Sequence, residues 1–238
     1  MEISGKVMII TGASSGIGAA TARVAAEAGA RLVLAARRKD RLEALAEELG
    51  ASAVTTDMRD PEQIHRLVEA AVDRYGGVDV LINNAGQGLH VPLEEIRVED
   101  LASIMQLNVY GALLAMQAVI PVMRSRGGGS IVNVSSGTTR MPSPAGASAY
   151  AATKAALNTL SQAARAELAD DGIAVSTIYP FVTVSEFHDT LRAGSGPRPR
   201  PGLVPDTAER VADVILDLVR TGDAEAVLVP EHLRGGSA

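Results

Sequence analysis

Tyr150 and Lys154 stand four residues apart in Tyr150-Ala-Ala-Thr-Lys154. On a helix that spacing puts both side chains on one face. A free phenol titrates near pH ~10, too high for base work at neutrality. A neighbouring ammonium favours the phenolate and is expected to lower that value, so the pair offers proton transfer. Thr11-Gly12-Ala13-Ser14-Ser15-Gly16-Ile17-Gly18 offers a second chemistry. Glycines at 12, 16 and 18 allow a tight turn and close approach to a phosphate without Cβ clashes. The first N–H groups of a following helix would face that phosphate, backed by the helix dipole. The same stretch contains Gly12-x-Ser14-x-Gly16, the spacing of a serine nucleophile on a strand-to-helix elbow. Such an elbow belongs deep in a sheet, after several strands, and this turn follows the first one. Phosphate binding is therefore the preferred reading.

These residues need a scaffold that gathers turns from several strands. Short apolar runs recur at Lys6–Thr11, Arg31–Ala35, Ala51–Thr55, Val78–Asn83, Ser130–Ser135, Ile173–Tyr179 and Ala226–Val229. They are nearly continuous in apolar character, as strands buried on both faces are. Segments with helical spacing lie between them: Gly16–Ala28, Asp40–Leu49, Pro61–Tyr75, Leu101–Arg126, Tyr150–Asp171 and Asp206–Thr221. This alternation predicts an α/β fold, a doubly wound parallel sheet of Rossmann type. About seven strands carry helices on both faces, in one domain spanning residues 1–238. Asp60-Pro61 reads as an N-cap followed by Pro at the first helical position. Gly29 and Gly50 fall where helix ends want a left-handed residue. Ala193–Pro205, with four prolines and three glycines, reads as a mobile loop.

Composition narrows the function further. Acidic side chains outnumber basic ones 28 to 22, so nonspecific nucleic-acid binding is not expected. There is no cysteine, which excludes disulfides, thiolate catalysis and cysteine–metal centres. The four histidines are scattered, so no metal site is expected. The N-terminus reads as a strand rather than a signal peptide. Val109–Met123, interrupted by Gln117 and Pro121, reads as too short and broken to span a bilayer. A cytoplasmic protein without a membrane partner is expected.

The order of five motifs is more specific than any one of them. TGASSGIG at 11–18, Asn83-Asn84-Ala85-Gly86, Asn108-Val109-Tyr110-Gly111, Ser135-Ser136 and the Tyr150/Lys154 pair succeed one another at fitting intervals. Together they resemble the one-domain branch of the short-chain dehydrogenase/reductase family, from Lys6 to about Val229. The resemblance implies hydride transfer between a nicotinamide cofactor and a small carbonyl or alcohol substrate. Tyr150 would be the general acid in reduction and the base in oxidation, and Lys154 would also hold the nicotinamide ribose. Ser136 would bond the substrate oxygen. It precedes Tyr150 by fourteen residues, one more than in many relatives, so Ser135 competes for the role. Asn108 would bend its helix and hold a water linked to the lysine. Gly12, Ser14, Ser15, Gly16, Ile17 and Gly18 would cradle the pyrophosphate. Asn84, Ala85 and Gly86 would line the adenosine side, and Asp57 and Met58 would contact adenine. A non-catalytic cofactor sensor on the same fold is the alternative, but binding alone needs no proton donor.

The second strand ends Ala35-Ala36-Arg37-Arg38. A preference for NAD wants a carboxylate here for the ribose 2′-hydroxyl. Ala36 stands in that place, and guanidinium at Arg37 and Arg38 suits a 2′-phosphate, so NADP is expected over NAD. After the sixth strand the family pattern is Pro-Gly and then a hydroxyl residue; here it is Pro180-Phe181-Val182-Thr183-Val184-Ser185. Pro180, Thr183 and Ser185 are the expected cofactor contacts. Phe181 would pack against cofactor, substrate or core. Ser185–Pro205 is the expected substrate lid, with Arg192, Arg198, Arg200 and His188 either solvated or meeting an anionic substrate. His90 reads as structural or as a pocket rim. The few residues after Val229 lack the glycine-rich ending associated with relatives that act on carrier-bound 3-oxoacyl chains. The resemblance further implies a homodimer or homotetramer.

Overall fold

The sheet is wound outward from its first strand in both directions. The structure, a computed structural model, describes residues 1–196 and 204–228. Its strands are β1 (Val7–Thr11), β2 (Arg31–Ala36), β3 (Ser52–Thr55), β4 (Val80–Asn83), β5 (Gly129–Val134), β6 (Ile173–Tyr179) and β7 (Glu225–Val227). They lie in the order β3-β2-β1-β4-β5-β6-β7, every neighbour parallel. The helices are α1 (Gly16–Glu27), α2 (Lys39–Leu49), α3 (Pro61–Tyr75), α4 (Val98–Met105), α5 (Ala112–Ser125), α6 (Ser148–Glu167) and α7 (Ala208–Thr221).

Side chains alternate across the sheet, and both directions are dry. In β1, Met8 and Ile10 join Leu32, Leu34, Leu42 and Val211 in the layer under α1, α2 and α7. Val7 and Ile9 point the other way, to Ile64, Leu67, Met116 and Val119 under α3 and α5. Burial on two faces is why these strands read as continuous apolar runs. Helix ends follow their signals. Asp60 Oδ1 accepts from the N–H groups of Glu62 and Gln63 at 2.9 and 3.2 Å. Gly50 closes α2 in the left-handed region, and Gly29 adopts φ 82° after α1.

The helix expected over Leu101–Arg126 begins at Val98 and ends at Ser125, with a widened π turn over Gln106–Gly111. Such a turn releases carbonyls from the i−4 ladder and usually marks a functional place. Here Asn83 Nδ2 reaches the Ala112 carbonyl at 3.3 Å. By length and composition Val98–Ser125 could cross a membrane, which corrects the expectation of a short, broken segment. Half of its most apolar window is buried inside the molecule, where Met116, Val119 and Met123 pack under the sheet.

One polar chain crosses that apolar layer. Asn83 and Asn133 are direct partners in the β4–β5 register. Asn83 Nδ2 donates to Asn133 Oδ1 at 2.9 Å, and Asn133 Nδ2 donates to Ser161 Oγ on α6 at 2.8 Å. Ser161 in turn donates to the Leu157 carbonyl at 2.7 Å.

Between β1 and β4 the winding reverses, which opens a crevice at the carboxyl ends of the strands. The turns that follow β1, β4, β5 and β6 all empty into it.

Candidate active site

These turns enclose a pocket of about 1400 Å³. It is lined at one end by Gly12, Ser14, Ser15, Gly16, Ile17, Arg37, Arg38, Asp57 and Met58. Asn84, Ala85, Gly86, Lys154, Pro180, Thr183 and Ser185 form its middle, and Ser136, Tyr150, Phe181, Phe187 and His90 its other end. Two expected residues are not among the lining. Gly18 packs behind the turn: a Cβ there would meet the Gly12 carbonyl oxygen at 2.4 Å. The absence of its Cβ lets the start of α1 pack closely against the turn after β1. Gly18→Ala is expected to push the turn out of shape, with a loss of about 2 kcal/mol in chemical denaturation and weaker cofactor binding. Unchanged stability would show that α1 can shift to accept the methyl.

Asn108 is the second. It is almost fully buried, and its amide is fixed on both sides by the backbone of Gln87. Oδ1 accepts from Gln87 N–H at 2.8 Å, and Nδ2 donates to Gln87 O at 2.9 Å and to Thr153 Oγ1 at 3.0 Å. Thr153 donates to the Tyr150 carbonyl at 2.8 Å. Asn108 therefore joins the loop following β4 to the helix that carries Tyr150 and Lys154.

The glycine turn has its own brace. Thr11 Oγ1 accepts from the N–H groups of Asn84 and Ala85 at 3.0 and 3.1 Å, and Asn84 Nδ2 donates to the Thr11 carbonyl at 2.9 Å. Gly16 adopts φ 53°, and a Cβ there would lie 3.0 Å from Ser185 Cβ. Ser14 Oγ accepts from Arg38 Nε at 3.1 Å, and Ser15 Oγ accepts from Arg38 Nη2. A guanidinium cannot take a proton, so Ser14 lacks the base that a nucleophile requires. Arg37 is exposed at the same mouth and makes no hydrogen bond or ion pair among the described residues. Asp57 accepts from Arg59 N–H at 3.0 Å, while Met58 is buried.

The competing serines are told apart by their partners. Ser135 donates to Asn158 Oδ1 at 2.5 Å and faces α6. Ser136 is the hydrogen-bonding neighbour of the Tyr150 phenol. Its oxygen accepts from Thr138 N–H at 3.2 Å and Thr138 Oγ1 at 3.0 Å, which leaves its own proton free to donate.

Tyr150 departs from expectation. Burial pushes its phenol up to about 12, and hydrogen bonding with Ser136 only partly opposes that. Lys154 does not pull it down. Its Nζ donates to the Val134 carbonyl at 2.8 Å and lies 5.8 Å from the Tyr150 ring centre. Burial also lowers the lysine to about 8, which favours loss of the charge that was expected to stabilise a phenolate.

Three rings cluster about the phenol. Phe187 lies 5.4 Å from Tyr150 and His90 6.1 Å, with His188 5.7 Å from His90. Burial lowers both histidine pKa values; His188 further lowers that of His90. Phe181 packs on Gly137, where a Cβ would meet its ring at 2.6 Å. Phe187, Thr138 and Gln87 were missed by the sequence reading. The chain has only two phenylalanines, both within residues 181–187, and that clustering was a usable signal for Phe187. Of the lid arginines, Arg192 pairs with Asp100 at 2.6 Å, and Arg198 and Arg200 lie outside the described residues.

A parallel sheet that gathers a glycine turn, a basic mouth and a buried tyrosine at its switch point defines a dinucleotide-dependent oxidoreductase. The chain belongs to the short-chain dehydrogenase family, whose model matches residues 6–196. It is 35% identical over 214 residues to an uncharacterised oxidoreductase of Staphylococcus aureus, covering 88% of this chain and 90% of that one. A Listeria innocua oxidoreductase is 40% identical over 198 residues, 80% of this chain and 79% of that one. Among solved structures it is similar to a 3-ketoacyl-(acyl-carrier-protein) reductase from Brucella melitensis complexed with NADH. That match has a TM-score of 0.86 and 28% identity, over 95% of this chain and 97% of that one. A short-chain dehydrogenase from Streptomyces avermitilis gives a TM-score of 0.85 and 34% identity, over 95% and 89%.

Proposed function

We propose that the protein is an NADP-dependent carbonyl reductase or alcohol dehydrogenase in which Tyr150 handles the proton. The observation that carries this reading is the buried Tyr150–Ser136 pair at one end of a pocket whose other end is the glycine turn with Arg37 and Arg38. The residues fit a dinucleotide. Gly12 and Gly16 add no Cβ to the turn that would receive a pyrophosphate, and Thr183 Oγ1 is buried in the pocket wall without a hydrogen-bond partner among the described residues.

When bound, the nicotinamide supplies the hydride for reduction and accepts it in oxidation. Tyr150 donates its proton to the carbonyl oxygen. Ser136 donates a hydrogen bond to the same oxygen and stabilises charge as it develops there. Lys154 holds the ribose, and Asn108 acts through its neighbours by fixing α6 against the loop that carries Gln87. The described part of the expected lid, residues 185–196, covers the pocket of this single catalytic domain, and residues 197–203 lie outside the described residues. The exposed apolar side chains of Val98 and Tyr110 support assembly into a homodimer or homotetramer along the long helices.

The test is NADPH consumption, followed by absorbance, with a panel of ketones, aldehydes and diketones. Turnover of at least one compound supports the reading; NADPH binding without any turnover favours a cofactor sensor. The NADP preference has a separate expectation. Arg37→Ala should weaken NADPH binding about ten-fold and NADH binding less than about two-fold. Equal losses in calorimetric titrations would remove the 2′-phosphate assignment.

A further inference from the structure

The basic mouth of the pocket already holds an anion. Glu186, on the segment that follows β6, places Oε2 2.9 Å from Arg38 Nη1. Arg41 Nη1 reaches both of its carboxylate oxygens, at 2.9 and 2.7 Å. Arg38 is the same guanidinium that binds Ser14 and Ser15 on the glycine turn. Ser185, the preceding residue, lies against Gly16. A carboxylate on the 185–196 segment thus holds Arg38, a cation that the NADP reading assigns to the cofactor, together with the neighbouring Arg41.

We propose that Glu186 is a tethered stand-in for the cofactor's 2′-phosphate, which must displace it from Arg38 and Arg41, so that NADP binding releases one end of the 185–196 segment. The inference rests on the NADP reading.

Guanidinium accepts carboxylate and phosphate oxygens in the same planar geometry, so the two anions are true competitors. Both arginines lower the Glu186 pKa, Arg38 first, so the carboxylate is ionised at neutral pH. A phosphate monoester carries about −1.5 to −2 charges at pH 7 against −1 for the carboxylate, so the cofactor wins when present. The other end of the segment is held independently. Gln87 Nε2 donates to the Thr190 carbonyl at 2.8 Å, and Arg192 N–H donates to the Gly88 carbonyl at 2.8 Å. His90 N–H donates to the Ala193 carbonyl at 3.0 Å, and Arg192 Nε reaches Asp100. Loss of the Glu186 contacts would therefore free residues near 186 and leave those near 192 docked. NAD, without the 2′-phosphate, has no group to make the exchange and leaves the latch closed.

Glu186 and its partners are partly exposed, so the competition is worth a few-fold rather than orders of magnitude. Calorimetric titrations of wild type and Glu186→Gln with NADPH, NADH, 2′,5′-ADP and 5′-AMP test it. Glu186→Gln should bind NADPH and 2′,5′-ADP about five-fold more tightly, with NADH and 5′-AMP within about two-fold. In an Arg38→Ala background the same substitution should give a smaller gain, because one competing cation is gone. NADPH affinity that is unchanged or weaker in Glu186→Gln overturns the inference while leaving the NADP reading intact. If wild type binds NADH as tightly as NADPH, and 5′-AMP as tightly as 2′,5′-ADP, the NADP reading fails and the inference fails with it.

Discussion

Tyr150→Phe is expected to lower kcat/KM for NADPH-dependent carbonyl reduction by about 10³-fold and to leave NADPH affinity within about two-fold. The substitution removes one oxygen from a fully packed ring, so the aromatic contacts with Phe187 and His90 persist and the proton is the loss. The same phenol sets the pH dependence. Held at about 12, it keeps its proton through neutrality, so it is always ready to donate. Reduction should be insensitive to this group between pH 6 and 8. Oxidation needs the phenolate, and its kcat/KM should rise about ten-fold per pH unit over the same window. A plateau of oxidation in that window would mean that another group sets the proton transfer. Full reductase activity in Tyr150→Phe would remove Tyr150 from the mechanism altogether.

Lys154→Met should stabilise the cofactor-free protein at pH 7 by about 2 kcal/mol while lowering turnover at least about 100-fold. The unfolded lysine keeps its proton to near pH 10.5, whereas burial lowers the folded one to about 8. Between those values the unfolded chain binds more protons, so wild-type stability rises with pH. Below pH 8 the folded state carries a buried ammonium that donates to the Val134 carbonyl and has no carboxylate partner among the described residues, and methionine removes that burden. The advantage of the variant should shrink as pH rises to 10. Denaturant midpoints at pH 7 and pH 10 read it directly. A variant less stable than wild type at pH 7, or an advantage equal at both, would contradict the account.

Much of the fold was legible because its signals are local and redundant. Continuous apolar strands, Asp60-Pro61 and the glycine ends of α1 and α2 each report their own element. The doubly wound order followed from the alternation of strand and helix, since right-handed crossovers leave few other arrangements. The pocket lining was legible for a different reason. Turns after parallel strands converge on one edge, so residues at strand ends could be assigned together. What escaped was set by contacts between distant parts of the chain. The upward shift of the Tyr150 pKa depends on how completely the pocket buries the phenol, which spacing to Lys154 does not report. The choice of Ser136 over Ser135 depends on Asn158, eight residues further along α6 than the tyrosine. The engagement of Arg38 depends on Glu186, 148 positions later. The apolar segment Val109–Met123 reads as broken because Gln117 and Pro121 interrupt its composition, whereas both are accommodated inside the continuous helix Val98–Ser125.

The paired asparagines in β4 and β5 bear on how the chain finds its alignment. An apolar pattern of period two is unchanged when a strand slides by two residues, so hydrophobicity alone leaves several alignments nearly equivalent. Slid by two, Asn133 would face Leu81 in place of Asn83, and the Asn133 amide oxygen would lose its donor in a dry layer. A stranded amide oxygen costs about 1–3 kcal/mol. The chain Asn83–Asn133–Ser161 thus acts as a key that admits one alignment of β4, β5 and α6. That alignment is also what sets Ser136, two residues beyond β5, opposite Tyr150 on α6. A pair of amides outside the pocket lining thereby carries positional information that Ser136 and Tyr150 inherit.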